Sequence, residues 1–164
     1  MSDISLRTID LADYETVWTW SLDREFCLAN GWTTDLSSDA LCDWWRRCVE
    51  HPPDNLLRFG IVYRRRMVGY VDLVFMGDGC AELGIAIGES GLWGRGIGSE
   101  AIRCTMRCAQ STKGITVFTA ETHEANPRAQ ALLRGTGFRE TGRSGQERYR
   151  GEWSSLIQYR CAFN

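Results

Sequence analysis

The most informative segment of this 164-residue chain is Leu92-Trp93-Gly94-Arg95-Gly96-Ile97-Gly98-Ser99-Glu100-Ala101. It follows an apolar segment and leads into a helical pattern. It also contains the last three of the eight glycines that lie between Gly77 and Gly98. Glycine lets a backbone turn tightly and approach a ligand closely, and the free N–H groups at a helix start attract anions. The stretch therefore predicts a strand-to-helix turn with the geometry of a phosphate cradle. A turn that holds no ligand is the alternative.

The spacing of these glycines does not fit two common nucleotide motifs. It matches neither Gly-x-Gly-x-x-Gly nor the lysine-containing phosphate loop, and no acidic residue follows a second strand about 20 residues later. A nucleotide-binding domain of another kind remains a competing interpretation.

The segments around this turn follow one order. Hydrophobic periodicity predicts strands at 4–8, 58–63, 67–75, 80–87 and 115–121, two closing strands after residue 136, and helices at 14–21, 41–49, 99–110 and 126–136. A polar loop that contains Trp32 is expected between the first two helices. The order β-α-α-β-β-β-α-β-α-β-β predicts an α/β fold, with a mixed central sheet and helices on both faces, in a single domain spanning residues 1–164.

Composition and cysteine usage narrow the class of protein. No apolar run approaches the roughly 20 residues that span a bilayer, and the first residues do not resemble a secretory signal, so neither a membrane nor a secreted protein is expected. The seven cysteines are odd in number and form no Cys-x-x-Cys pair, which predicts the reducing cytosol. Cys104 and Cys108 are four residues apart, but the chain has only two histidines to complete a site, so no metal is expected.

Charge is unevenly distributed along the chain. The net charge of −2 argues against a general nucleic-acid binder. Fourteen acidic and eight basic residues give residues 1–82 a charge of −6, whereas seven acidic and eleven basic residues give residues 83–164 a charge of +4. An acidic half suits a cationic substrate and a basic half suits an anionic cofactor. Chance variation of surface charge is the alternative.

Two motifs together resemble a known family. The glycine turn is similar to the acetyl-CoA-binding motif Gln/Arg-x-x-Gly-x-Gly/Ala of the GNAT family of N-acetyltransferases, with Gly96 and Gly98 at the glycine positions and Trp93 in place of Gln or Arg. The stretch from Asn126-Pro127-Arg128-Ala129 to Gly137-Phe138 resembles the family's second signature, Asn-x-x-Ala-x-x-Leu-Tyr-x-x-x-Gly-Phe. The Trp-Gly-Arg-Gly form is similar to the subgroup that contains ribosomal-protein N-terminal and polyamine acetyltransferases.

This resemblance implies a fold, a cosubstrate and a reaction. The expected fold is a mixed, mostly antiparallel GNAT-like sheet, and the expected reaction moves an acetyl group from acetyl-CoA to a primary amine of a protein N-terminus, a polyamine or another small molecule. Acetyl-CoA would lie between splayed fourth and fifth strands. The residues that the resemblance assigns to it are Ile85, Ala86, Ile87, Trp93, Gly94, Arg95, Gly96, Ile97, Gly98, Ser99 and Asn126. Asn126 before Pro127 is also what a helix start requires.

Glu82 is the candidate catalytic residue. An alkyl amine with a pKa of about 10.4 must lose a proton before it can attack, and Glu82 stands where family members with a carboxylate base keep their Glu. Burial by Leu83, Ile85 and the cosubstrate would raise the pKa of this carboxyl toward a useful value. An exposed strand acid without a catalytic role is the alternative.

Leu133 departs from the second signature. The family commonly has a Tyr there, which donates to the departing CoA sulfur, and Leu133 offers no phenol. Packing in the core explains a leucine at this position. A GNAT-like domain that binds CoA without catalysis is therefore the second functional hypothesis.

The acceptor site and the oligomeric state are less specified. Residues 23–39 and the closing hairpin at 142–153 are expected to hold the acceptor, with Asp23, Glu25 and Asp35 as the acids that attract a cation. Pairing through an edge strand or the hairpin makes a homodimer possible.

Overall fold

One seven-stranded sheet organises the protein. The computed structural model describes residues 3–163, and its strands are β1 Ile4–Thr8, β2 Leu56–Tyr63, β3 Arg66–Gly77, β4 Cys80–Ile87, β5 Val117–His123, β6 Arg139–Tyr149 and β7 Glu152–Ala162. Their spatial order is β1-β2-β3-β4-β5-β7-β6. All neighbours are antiparallel except β4 and β5, which are parallel. The predicted α/β fold with a mixed, mostly antiparallel sheet is confirmed.

Helices cover both faces of this sheet, as predicted. They are α1 Tyr14–Ser21, α2 Arg24–Asn30, α3 Ser38–Glu50, α4 Ile97–Lys113 and α5 Pro127–Gly135. The larger core includes buried residues of α4 and α5, and the smaller core includes buried residues of α1, α2 and α3. Neighbouring residues of β4 belong to different cores: Ile85 packs on the larger core and Ala86 belongs to the smaller one. Since successive side chains of a strand point to opposite faces, the two cores lie on opposite sides of the sheet.

The prediction of a polar loop between the helices expected at 14–21 and 41–49 is wrong. The segment contains α2, whose start is capped by the Asp23 side chain, which accepts a hydrogen bond from the Phe26 amide. Gly31 ends it in the left-handed conformation, at φ 69°. Two turns of helix are too short to show an apolar periodicity, and burial of Phe26 and Cys27 against the smaller core stabilises the segment instead.

Several elements begin or end at residues other than those predicted, and the shifts of α4 and β5 concern the site. Helix α4 begins at Ile97, inside the glycine stretch, and ends before Gly114, which is left-handed at φ 67°. Strand β5 covers Val117–His123, two residues beyond the predicted 115–121. This second shift places His123 in the sheet, next to Leu156 of β7.

The thiols and the helices add three observations. All seven cysteines are free. Within residues 3–163, no group of three or more His, Cys, Asp or Glu side chains is arranged to hold a metal ion. No helix in the described range is long and apolar enough to cross a bilayer.

Candidate functional site

The glycine stretch joins β4 to α4 through an open turn. Gly94 and Gly96 have φ values of 76° and 80°, a region that favours glycine, and a Cβ added at either would meet no atom within 4 Å. Gly96 is the N-cap of α4 and provides no side chain to cap the first amides. The start of a 17-residue helix therefore presents uncapped N–H groups, which favour an anion.

Strands β4 and β5 separate beside this turn. Their parallel pairing covers only three positions and ends at Glu82 and Thr119. From Leu83 onward, β4 keeps its partner β3 but has no partner on its other edge. The predicted splay of the fourth and fifth strands is thus observed, and it leaves this edge of β4 without a partner strand, so that another chain-like molecule could pair with it.

A cavity of about 400 Å³ lies at the splay. It is bounded by the end of β4, the glycine turn, the first half of α5 and the last turn of α2. Ten of the eleven residues assigned to acetyl-CoA line this first cavity: Ile85, Ala86, Ile87, Trp93, Gly94, Gly96, Ile97, Gly98, Ser99 and Asn126. Arg95 does not line it. The structure therefore brings the assigned set together, whereas binding of a ligand to it stays a prediction.

Trp93, the departure from the motif, is held rigidly at the mouth of this cavity. Its indole Nε1 donates to the Ile87 carbonyl over 2.9 Å. The Arg128 guanidinium stacks on the ring, with its carbon 3.4 Å from the ring centroid, and burial lowers the pKa of Arg128. Sequence analysis did not single out Arg128, although its place two residues after Asn126 in the second motif was a usable signal. A cation from α5 thus stands beside the position where the family motif has Gln or Arg.

Asn126 caps α5 as its sequence predicts. It is buried, and its side-chain oxygen accepts a hydrogen bond from the Ala129 amide over 3.2 Å. The same side chain lines the first cavity and a second one. The capping role is therefore observed, and a contact with a ligand remains a prediction.

The second cavity, of about 310 Å³, continues from the first. The two share Ala29, Asn30, Ile85, Asn126, Ala129 and Leu132. Beyond them, the second cavity passes between β4 and β5 and is lined by residues of β6 and by several titratable groups: Glu121, His123, Glu147 and Tyr149. Leu133 also lines it and is only 5% exposed within the larger core, so the core role expected for this leucine is observed.

The expected acceptor segments do meet at this second cavity. Residues 28–31 and 147–149 line it from opposite sides. Arg150 of the closing hairpin pairs with Glu25 of α2 over 3.0 Å, which ties the two segments together. The Asp23 carboxylate accepts from the Ser90 amide over 2.8 Å. Glu25 is therefore ion-paired and Asp23 is hydrogen-bonded within the protein, whereas Asp35 has neither an ion pair nor a side-chain hydrogen bond among the described residues.

Glu82 is not brought together with the other assigned residues. Its side chain is exposed and lines neither cavity, and Leu83 points to the opposite face of the sheet, so the expected burial of Glu82 by Leu83 is not observed. It does share a face with Gly84, which lines the second cavity about 7 Å further along β4. Glu82 thus stands on the open sheet just outside that cavity.

Comparisons with known proteins agree with this geometry. A family model described as "Acetyltransferase (GNAT) domain" matches residues 3–139. A search of curated proteins finds no match.

Solved structures match over almost their full lengths. The spermidine N-acetyltransferase from Vibrio cholerae in complex with CoA and spermine is 18% identical, with a TM-score of 0.82 over 99% of this chain and 96% of that one. The Salmonella typhimurium acetyl transferase that modifies the N-terminal serine of 50S ribosomal subunit protein L7/L12 is 16% identical, with a TM-score of 0.84 over 100% and 97%. A GNAT-family acetyltransferase from Bacillus anthracis is 15% identical, with a TM-score of 0.80 over 97% and 94%. At these identities the likeness establishes the fold.

Proposed function

The chain belongs to the GNAT acetyltransferase family, and from this premise we propose that it transfers an acetyl group from acetyl-CoA to a primary amine. The observation that carries the proposal is the first cavity, where the uncapped start of α4, the glycine turn and the unpaired edge of β4 face one space. These three features suit the diphosphate and the amide-containing arm of a CoA thioester.

The residues around the first cavity have distinct roles in this proposal. Amides of Gly96, Ile97 and Gly98 bind the diphosphate, because the helix start presents N–H groups and a positive dipole end to it. Backbone groups of Ile85 and Ile87 hydrogen-bond the pantetheine arm as an added strand would. Arg128 adds a positive charge at the mouth of the cavity.

The amine enters from the second cavity, since that space reaches the first one through the gap between β4 and β5. Its nitrogen must be neutral when it attacks the thioester carbon, and a base has to accept the proton that it loses. A thiol with a pKa near 8.5 is a fair leaving group at neutral pH, so transfer does not require a phenol at Leu133.

Glu82 is the base suggested by the family resemblance. From its place outside the second cavity, it would act through intervening water. Glu82→Gln tests this role: a kcat lowered about 10²–10⁴-fold with unchanged acetyl-CoA affinity would identify a base. An unaltered kcat would make Glu82 a surface acid of the strand.

The chemical class of the acceptor is the next part of the proposal. The names of two similar structures point to polyamines and to a protein N-terminus, and both ligands are primary amines. We infer for this chain a cationic or N-terminal amine drawn by the acidic first half of the sequence. Raising the salt concentration should then raise KM more than it lowers kcat, because surface attraction is screened within about 8 Å at physiological ionic strength.

Two measurements test the proposed function. Calorimetry with acetyl-CoA, and with ADP as the control for general nucleotide binding, reports on the first cavity. A transfer assay with N-terminal peptides, polyamines and aminoglycosides at saturating acetyl-CoA reports on the chemistry. Binding of acetyl-CoA together with transfer to one amine class supports an enzyme.

A non-catalytic CoA-binding module is the second candidate, because Leu133 replaces the family's Tyr. Tight acetyl-CoA binding without transfer to any amine would favour that module over the enzyme. The single-domain organisation, the cytosolic location and a possible homodimer complete the proposal, and ultracentrifugation tests the last of these.

A further inference from the structure

Two titratable side chains that line the second cavity, His123 and Glu147, take part in no hydrogen bond within residues 3–163. The Glu121 carboxylate accepts a hydrogen bond from Gln158 over 2.7 Å, and the Tyr149 hydroxyl lies 3.3 Å from the donating Arg150 Nε. Arg148 is permanently cationic and donates to the Gly151 carbonyl. Because an imidazole is a stronger base than a carboxylate, His123 is the better suited of the two to take up a proton.

The surroundings of His123 hold its ring in one place. The imidazole stacks on Tyr149, with centroids 4.9 Å apart and planes 23° from parallel. Only 20% of the side chain is exposed. The strand position next to Leu156 fixes the backbone from which the ring projects.

Glu147 lies beside one nitrogen of this ring. Its carboxylate oxygen is 3.4 Å from Nε2, yet Nε2 is buried and forms no hydrogen bond in the described residues. The distance permits electrostatic attraction but exceeds a normal hydrogen bond, and such contacts often tighten only when a substrate is bound. Because an ionised carboxylate can only accept, Glu147 favours the tautomer with the hydrogen on Nε2, which leaves the lone pair on Nδ1. None of the described residues donates a hydrogen bond to Nδ1.

Glu82 lies outside the second cavity and would reach the amine only through water, whereas His123 lines that cavity. We propose that His123 takes this role in place of Glu82: it accepts the proton of the acceptor amine through Nδ1, and Glu147 positions the ring and stabilises its protonated form. This inference rests on the proposed acetyl transfer. The ammonium group gives one proton to Nδ1, and the neutral nitrogen attacks the thioester carbon, so that the C–N bond forms and the C–S bond breaks. The second proton of the attacking nitrogen neutralises the departing thiolate. His123 then releases its proton to solvent.

The charged and titratable groups that face His123 come from the sheet alone. Glu147, Arg148 and Tyr149 belong to β6, and Glu121 belongs to β5. The parts of α2 and α5 that line the cavity contribute no titratable side chain. Among these groups, Glu147 is the one close enough to Nε2 to stabilise a positive ring.

The first test compares His123→Gln, Glu147→Gln and His51→Gln. His51, the chain's other histidine, follows α3 far along the chain and is exposed, so its variant controls for loss of an imidazole. We expect His123→Gln to lower kcat about 10²–10⁴-fold while acetyl-CoA affinity stays unchanged. Wild type should show an acid limb in its profile of kcat against pH, and the variant should lose it. Titration of the amine itself should affect all the proteins equally.

Glu147→Gln distinguishes a role in stabilising the protonated ring from a purely structural role, which would not change the pH dependence of kcat. Loss of the carboxylate destabilises the protonated ring, so the acid limb should shift to lower pH with a smaller loss of kcat. The Glu147 side chain is 63% exposed, so this variant is expected to fold even if His123→Gln does not.

The second test is the imidazole nitrogen spectrum of wild-type protein, with His51 as the internal reference. It should show His123 with its hydrogen on Nε2. Hydrogen on Nδ1, or a kcat and pH profile unaltered in both cavity variants, would overturn the inference and leave the acetyltransferase intact. Failure of wild type to acetylate any amine would overturn the proposed function, and the inference with it.

Discussion

Replacing Gly96 by Asp is the sharpest test of the cosubstrate site. Gly96 lines the first cavity, and a Cβ added there meets no atom within 4 Å, so the new side chain projects into cavity space without displacing any packed group. Its φ of 80° makes any side chain cost about 1–2 kcal/mol, but Asp and Asn tolerate this region better than other residues. Gly96→Asn therefore carries the same strain and size without the charge, and it is the matched control.

The expected difference between the two variants follows from Coulomb repulsion. At about 4–6 Å and an effective dielectric constant near 20, a carboxylate and one diphosphate charge repel by about 3–4 kcal/mol. Each 1.4 kcal/mol corresponds to about tenfold in affinity, so the Asp variant should bind acetyl-CoA at least about 100-fold more weakly than the Asn variant.

Calorimetry at low and high salt measures this difference, and thermal unfolding confirms that both variants are folded. Salt should reduce the gap, because it screens charges across an open cavity. Equal affinities of folded Asp and Asn variants would refute the placement of the diphosphate at Gly96.

Three further predictions concern the stability of the protein in and around the site. Leu133→Ala should lower the free energy of unfolding by about 2–5 kcal/mol in urea denaturation, because the side chain is 5% exposed, and a near-zero loss would contradict its core role. Gly88→Ala should lower the free energy of unfolding by about 1–3 kcal/mol, since its Cβ would lie 2.2 Å from the Trp20 indole. Gly91→Ala is the control: the space around Gly91 is open, so its free energy of unfolding should change by no more than about 0.5 kcal/mol. Equal losses in the two variants would refute the packing argument. Burial tends to raise the pKa of Asp23, but hydrogen bonds from backbone amides outweigh it, so the pKa is lowered overall. The extra stability of wild type over Asp23→Asn should therefore be present at pH 7 and diminish as the pH falls below about 4. A stability difference that grows in acid would contradict the lowered pKa.

Local patterns in the sequence determined most of the fold and the first cavity. Alternating apolar residues located the strands, and the left-handed glycines at Gly94 and Gly96 could be anticipated because few other residues adopt that conformation. Asn126 followed by Pro127 marked the start of α5 for an equally local reason, the need to cap a helix. Each of these features depends on residues within a few positions of one another.

Tertiary structure alone decided the second cavity. His123 of β5 and Glu147 of β6 are separated by 24 positions in sequence. They come close because β5 and β6 both pair with β7, which lies between them in the sheet. Helix α2 forms because the smaller core buries Phe26, whereas Glu82, on the same strand as residues of both cores, stays exposed. Contacts between distant segments depend on strand order and packing, which leave no periodic trace in the sequence. That His123 lies beside Glu147 could therefore be found only from the assembled sheet.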